Sequence, residues 1–198
     1  MSAGGQQGRK PRADVQRNRA ALLGAAQRHF LKYGVGTSLE AVAKEAGVGP
    51  GTLYRHFPTR EALLAAVLQT RSEELVARQA EIAQFGDTDT ALEQWLRALE
   101  EYFSAFSGLP EPLMAAARAQ DPDNPLTLPC DTVITATDEY VQAAQRTGYV
   151  RESVKGYDLF LAAISVAWLK GAGAAEEESL DRVRALVAAG YRKRDTQA

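Results

Sequence analysis

Apolar residues recur at helical spacing along nearly the whole chain, and no stretch alternates with the two-residue period of a half-buried strand. From Asp14 to Tyr33, the residues Leu22, Ala26, Phe30 and Tyr33 mark one helical face, and Gly34 and Gly36 end it. His29 lies beside that stripe and reads as a core-edge histidine. Leu39, Val42, Ala43 and Ala46 then fall at i, i+3, i+4 and i+7 of a short second helix. Thr37 with Glu40 three residues on has the form of a capping box at its start. Gly47 stands where a left-handed stop is wanted, and Val48 follows as an apolar plug. Pro50 occupies the first position of a third helix, where its missing N–H costs nothing. That helix ends near His56, so it has barely two turns and is marginal alone. Leu53 and Phe57 must therefore tie it down, leaving Thr52, Tyr54, Arg55 and His56 outside. This is the geometry of a helix-turn-helix reading head.

Beyond the head the pattern predicts a long helix from Thr59 to about Phe85, with Leu63, Leu64, Val67, Leu68, Leu75, Val76 and Ile82 on its apolar face. Further helices are expected at Thr90–Phe106, up to Ala119 after Pro110, at Pro129–Thr147, at Val154–Gly171 and at Ser179–Tyr191. Val133, Ile134, Tyr140, Val141 and Ala144 point inward on the Pro129 helix. The last two carry many small residues, which permit close helix–helix approach. The fold class is all-α, with about nine helices, and no internal repeat or sustained heptad appears.

The run Val48-Gly49-Pro50-Gly51-Thr52-Leu53-Tyr54-Arg55-His56-Phe57-Pro58-Thr59-Arg60-Glu61-Ala62-Leu63 resembles the DNA-binding segment of the TetR family of transcriptional regulators. The resemblance is close over residues 14–68 and rests on length and helical character elsewhere. It implies a flexible basic arm at 1–13, a three-helix DNA-binding domain at 14–60, and a larger helical ligand-binding and dimerisation domain at 61–198. By the same resemblance Thr52, Tyr54 and His56 touch DNA, the latter two mostly at phosphates, and Arg60 does likewise. Thr37 offers a phosphate its hydroxyl or the helix N-terminus it caps. Gly49 and Gly51 let the backbone approach the duplex, while Arg55 either pairs with a guanine or faces solvent. Gly49 stands where the family often has Ser, and Pro50 where Lys often points at a base. Direct base reading is therefore thin, and shape or water-mediated readout gains weight. In the family the last two helices of each subunit form a four-helix dimer interface. Two recognition helices one DNA turn apart also need a two-fold partner. A homodimer on a double-stranded operator with two half-sites is expected.

The net charge of −2 conceals a division. Residues 1–60 carry ten Lys or Arg against three acids, and residues 61–198 carry thirteen against twenty-two. A basic head on an acidic body suits a chain of which only one end should meet phosphate. The leader 1–13 reads equally as a disordered tail or as an arm that orders on DNA. One cysteine, Cys130, excludes an intrachain disulfide and reads as a quiet small hydrophobe in a reducing cytosol. No apolar stretch forms a signal peptide, and the longest charge-free apolar run, Leu159–Leu169, is too short for a bilayer. A cytoplasmic protein without membrane contact is expected.

The aromatic band Trp95, Tyr102, Phe103 and Phe106, with Met114, Tyr140, Phe160 and Trp168, has two readings: ordinary core, or the lining of a cavity for a small apolar or aromatic effector. The connector helix from Thr59 enters both head and body, so an effector favouring one tilt would move the heads. Glu100-Glu101 and Glu176-Glu177-Glu178 read as solvated faces or caps, and Arg192-Lys193-Arg194 as a tail or a charge at a helix C-terminus. No nucleophile elbow, Cys/His pair, phosphate loop or zinc spacing is present, so no enzyme, cofactor or metal is expected. The reading that competes with a ligand-responsive repressor is a helical small-molecule-binding or interaction protein with a degenerate helix-turn-helix.

Overall fold

A computed structural model describes residues 10–193, with side chains from residue 13. Among the described residues there are nine helices and no named strand: α1 (Lys10–Tyr33), α2 (Leu39–Glu45), α3 (Pro50–His56), α4 (Arg60–Ile82), α5 (Thr88–Phe103), α6 (Pro110–Ala119), α7 (Thr127–Arg146), α8 (Gly156–Gly171) and α9 (Glu177–Tyr191). The expected arm at 1–13 falls largely outside the described residues, and α1 reaches back to Lys10. No described helix is long and apolar enough to cross a membrane.

In the head, α1 packs on α2 and α4, and α2 on α3. Leu22, Ala26 and Phe30 of α1 are buried as their spacing predicts, but Tyr33 is 59% exposed. Tyr33 ends the helix at the surface, where the Lys32 ammonium sits 5.0 Å from its ring centroid. The α1–α2 turn follows at once. Gly34 adopts φ +77°, and a Cβ there would stand 2.7 Å from the carbonyl oxygen of Ser107, in the α5–α6 loop. The N–H of Val35 donates to that same oxygen at 2.9 Å. Head and body therefore meet at a backbone seam as well as through α4.

The body is built on α5, α7 and α8, packed on one another, with α6 and α9 on the outside and α4 leading in. One contiguous apolar core runs from Leu53 and Phe57 in the head to Trp95, Phe103 and Phe160 in the body. Phe30 and Phe106 meet edge-on across the seam, ring centroids 5.8 Å apart. Helix limits differ from the sequence reading by a turn or less. Asp87, outside the expected α5, caps it through carboxylate bonds from the Asp89 and Thr90 N–H groups. The turn Ser104–Phe106 lies beyond its end, in the loop that forms the seam. Pro129 sits inside the first turn of α7, which starts at Thr127, because no intrahelical donor is needed there. In α7, Val133, Val141 and Ala144 are buried, while Ile134 and Tyr140 are only half-covered.

Two charged stretches depart from the sequence reading. Glu101 is exposed, but Glu100 is 6% exposed and accepts from Arg184 Nε at 2.7 Å. Arg184 also donates to Glu177 at 2.7 Å and Asp181 at 2.8 Å. Arg192 is no free tail: its guanidinium donates to Tyr149 at 2.6 Å and pairs with Glu93. Arg194 lies outside the described residues.

Gly34 and Gly47 both have positive φ, but only Gly34 is crowded. Ala at either position suffers backbone strain of about 1 kcal/mol or more, and at Gly34 the Cβ also drives into Ser107. In urea denaturation Gly34→Ala is expected to lower stability by about 2–3 kcal/mol and Gly47→Ala by about 1 kcal/mol. Equal losses would remove the seam as a fixed contact.

Candidate nucleic-acid interface and body cavity

Helix α2 starts one residue later than the capping-box pattern suggests. Ser38, not Thr37, is its N-cap: the Ser38 hydroxyl accepts from Ala41 N–H at 3.2 Å and donates to the Glu40 carboxylate at 2.7 Å. The Thr37–Glu40 spacing suggested the wrong residue because Ser38 has alanine, not an acid, three positions on. After α2, Gly47 takes φ +71° as its place in the sequence predicts. Its N–H bonds to Lys44 O at 3.1 Å, and Val48 N–H to Ala43 O at 3.0 Å. This paired closure is a Schellman stop, and Val48 packs against the core behind it. Gly49, extended at φ −75°, ψ 155°, begins α3 without a side-chain cap, and Pro50 is its first residue.

Only Leu53 and Phe57, 1% and 2% exposed, hold α3 to the core. Tyr54 is 44% exposed, with its hydroxyl 3.4 Å from the Glu40 carboxylate. Thr52 and His56 are half-buried and Arg55 is exposed. Arg55 folds back, donating to Gly51 O at 3.0 Å and Thr52 Oγ1 at 3.3 Å. A Cβ added at Gly49 or Gly51 would meet nothing within 4 Å. Packing within the chain therefore does not require glycine at either position.

Two expected phosphate contacts are engaged inside the head. One terminal nitrogen of Arg60 donates to Val35 O at 2.6 Å and Thr37 O at 2.7 Å, so the first residue of α4 clamps the α1–α2 turn. The Thr37 hydroxyl lies 3.3 Å from His29 Nδ1, and His29 Nε2 lies 2.7 Å from Glu45. His29 is 8% exposed, in keeping with a core-edge histidine. The Arg28 hydrogen bond at 2.6 Å holds the Glu45 carboxyl below its usual range. The Ser38 hydroxyl does the same for Glu40, helped by a backbone N–H and by Tyr54. Sequence reasoning missed the seam at Ser107 and the Arg60 clamp. Neither leaves a local signal, since each joins residues far apart in the chain through backbone carbonyls.

The aromatic band does not converge on one cavity. Trp95 and Tyr102 line a groove of about 550 Å³ between α4, α5 and α7. Phe103 and Phe160 meet edge-on in the core at 5.5 Å, and Phe106 packs on Phe30 beneath the Arg71 guanidinium. Tyr140 stacks on Trp95 at 5.2 Å, and Met114 is half-buried against the core. Trp168 is on the surface, 42% exposed, donating to Glu111 at 2.7 Å. Val76, counted in the apolar face of α4, is 62% exposed on the rim of the groove. Cys130 is buried, its thiol pushed up to about 12 by that burial and directed at Leu113 O.

A two-turn helix pinned on a three-helix head, with that head carried on a larger helical body, defines an all-helical protein of the helix-turn-helix class. Residues 22–67 match the family described as bacterial regulatory proteins, tetR family. Residues 87–193, more than half of the chain, match the C-terminal domain of SbtR-like transcriptional regulators. The chain belongs to the TetR family, whose members are transcriptional regulators and not enzymes. The HTH-type transcriptional regulator UidR of Escherichia coli K12 is 36% identical over 66 residues, 33% of this chain and 34% of that protein. The chain thus spans about a third of the length of that relative. A TetR transcriptional regulator from Streptomyces coelicolor is 30% identical, covering 88% of this chain and 98% of its own at a TM-score of 0.54. A TetR family regulator from Marinobacter aquaeolei shares the fold at a TM-score of 0.60 over 92% of this chain and all of its own, with 18% identity.

Arg60 reads as a clamp on geometry and as a phosphate contact on resemblance, and the two separate experimentally. Arg60→Met is expected to cost about 1–3 kcal/mol in urea denaturation without DNA, because two carbonyls lose a charged donor. Unchanged stability, with a salt slope of DNA affinity shallower by about one, would assign the side chain to phosphate instead.

Proposed function

We propose that this chain is a cytoplasmic, homodimeric, ligand-responsive regulator that binds a double-stranded operator through α3 and acts as a repressor, releasing DNA when a small apolar or aromatic effector enters the body. The observation that carries the reading is α3 itself. It is fixed by Leu53 and Phe57, exposes Tyr54, and leaves open space at Gly49 and Gly51 where another molecule's backbone could approach. In a head with a surplus of basic residues, that shape suits a phosphate backbone. Thr52, Tyr54 and His56 remain the proposed DNA contacts, with Arg55 free to unfold from Thr52. Thr37 and Arg60 act in this reading by holding the turn behind them.

Dimerisation is supported by the outer face of α8 and α9. Ser165 of α8 is exposed and Leu186 of α9 is 74% exposed, while the exposed Ala185 and Ala189 border a cleft beside α5 and α8. Small side chains with one large apolar residue between them suit a close helix–helix interface. The competing reading, a binding protein with a degenerate head, draws support from Arg55 and Arg60 both being engaged within the chain.

A gel shift against the DNA beside its own gene at two salt concentrations decides between them. The regulator retards that duplex selectively and more weakly at high salt, and a degenerate head does neither. Within the regulator, His56→Ala is expected to weaken specific and scrambled duplexes alike, by roughly fivefold for about 1 kcal/mol. Thr52→Ala is expected to alter sequence preference. Equal effects of both on both duplexes would cancel that division. By light scattering at micromolar concentration the chain should have twice the monomer mass, and Leu186→Glu the monomer mass with helicity intact.

A further inference from the structure

The groove between α4 and α7 has a specific chemistry. Its α4 wall runs from Ala65 to Gln79, about 21 Å of one helical face. Trp95 and Tyr102 of α5 and Pro129, Val133 and Ala136 of α7 face it, all apolar over most of their surface. Val76 and Leu128 stand on its lips, 62% and 75% exposed. No carboxylate lines it. The one charge is Arg19 at the head end, exposed, its guanidinium 5.3 Å from the Phe57 ring centroid.

Three polar groups of the wall are satisfied within the chain, and the Gln69 and Gln79 amides stand on the α4 side without a side-chain partner among the described residues. Ser72 donates to Gln69 O at 2.7 Å, Thr132 to Leu128 O at 2.9 Å, and the Trp95 indole to Thr137 at 3.0 Å. Tyr102 differs. It is half-buried, and no hydrogen bond influences its phenol among the described residues. Burial pushes its ionisation up to about 12, so the group stays an O–H donor at neutral pH. Tyr102, Leu68, Pro129 and Val133 also bound a void of only about 10 Å³ on the core side, which leaves no room to go deeper.

We propose that this groove takes an uncharged, largely apolar molecule bearing a carbonyl or ether oxygen, and that this oxygen accepts a hydrogen bond from the Tyr102 phenol. A buried cation would find no carboxylate in the lining and a buried anion only Arg19 at the open rim, while the Arg71 and Glu74 charges that reach the Tyr102 phenol are paired with each other, so either ion remains largely uncompensated. A neutral acceptor satisfies the Tyr102 phenol, the free donor on the α5 side facing the Gln69 and Gln79 amides of α4, while the rest of the molecule covers apolar surface. The inference gives a chemistry to the effector reading above, and rests on that reading only for its consequence at DNA.

Three probes sharing one ring system test it: 2-acetonaphthone, 2-naphthoate and 2-naphthylmethylammonium, titrated by calorimetry into the full chain at pH 7 without DNA. The ketone is expected to bind and the two ions to bind at least tenfold more weakly. Tyr102→Phe, which keeps the ring, should weaken the ketone about five- to tenfold. Ala136→Trp, which fills the groove, should abolish binding with helicity retained; should that variant lose helicity, Tyr102→Phe decides alone. Ions binding as tightly as the ketone, a ketone indifferent to Tyr102→Phe, or no ketone binding at all would each overturn the proposal. Ketone binding with these dependences but without release of a retarded duplex would uphold the groove chemistry and remove the effector role. Failure to retard any duplex would remove the regulator reading while leaving the calorimetric result standing.

Discussion

The joint between head and body is the constraint on which the rest of the structure depends. A seven-residue helix cannot persist in water through its own hydrogen bonds, and α3 has no side-chain cap to help it. It persists because Leu53 and Phe57 enter a core that does not end at the head. That core continues through Phe30 onto Phe106, while the backbone of Val35 is bonded to Ser107. The α1–α2 turn is thus held from two sides: by the α5–α6 loop through Ser107, and by α4 through Arg60. A head severed after residue 60 would keep the Arg60 clamp but lose the Ser107 attachment at the turn from which α2 and α3 are hung.

Two attachments change how motion would pass between the parts. Were α4 the sole link, any tilt of it could swing the head as a free unit. With the Ser107 seam in place, α4 can tilt only if the α1–α2 turn shears against the α5–α6 loop or moves with it. On the proposed reading, a molecule in the groove bears on α4 over four turns and on Tyr102, one residue from Phe103 and four from Phe106, so it lies near both attachments. Its effect on DNA is limited by its difference in affinity for the two arrangements of the joint, however tightly it binds.

Sequence made the helical class, the head and the stop at Gly47 legible, because each follows from local rules: the 3.6-residue spacing of apolar side chains, the glycine at a left-handed position, the proline at a first turn. The limits of that legibility lie where local rules compete. Thr37 and Ser38 are both competent N-caps, and the acid at Glu40 favoured the wrong one by spacing although its carboxylate bonds to Ser38. Tyr33 and Val76 fall on apolar stripes but at places where a helix end or a groove leaves the stripe uncovered. Spacing identifies a face; it does not say how far the neighbouring helix extends over it. The aromatic band divides between groove, core and surface for a related reason. Residues of one apolar character partition between core, as Phe103 and Phe160 do, and surface, as Trp168 does, according to which helices flank them. Arg60 followed the family's pattern in sequence and took a different partner in space, because two bare carbonyls at the α1–α2 turn lie within its reach.

The polar network of α9 answers a different packing problem. Helix α9 buries only Leu180 and Tyr191, and its inward small side chains contribute little area to fix its rotation. Small side chains are compatible with several registers against α5 and α8, so apolar contact alone would leave the helix free to slide. Arg184, steadied by Glu177 and Asp181 of its own helix, reaches across to Glu100 of α5, and Arg192 reaches Glu93 of α5 and Tyr149; these cross-helix bonds remove that freedom because they tolerate little displacement. Burial pushes the Glu100 carboxyl above its usual range in spite of the Arg184 charge, so desolvation outweighs the attraction at that site. A pair of this kind adds little net stability compared with apolar residues of the same size. Its contribution is orientation: the bonds to Glu100 and Glu93 commit the polar side of α9 to α5 and leave Leu186, 74% exposed, facing out.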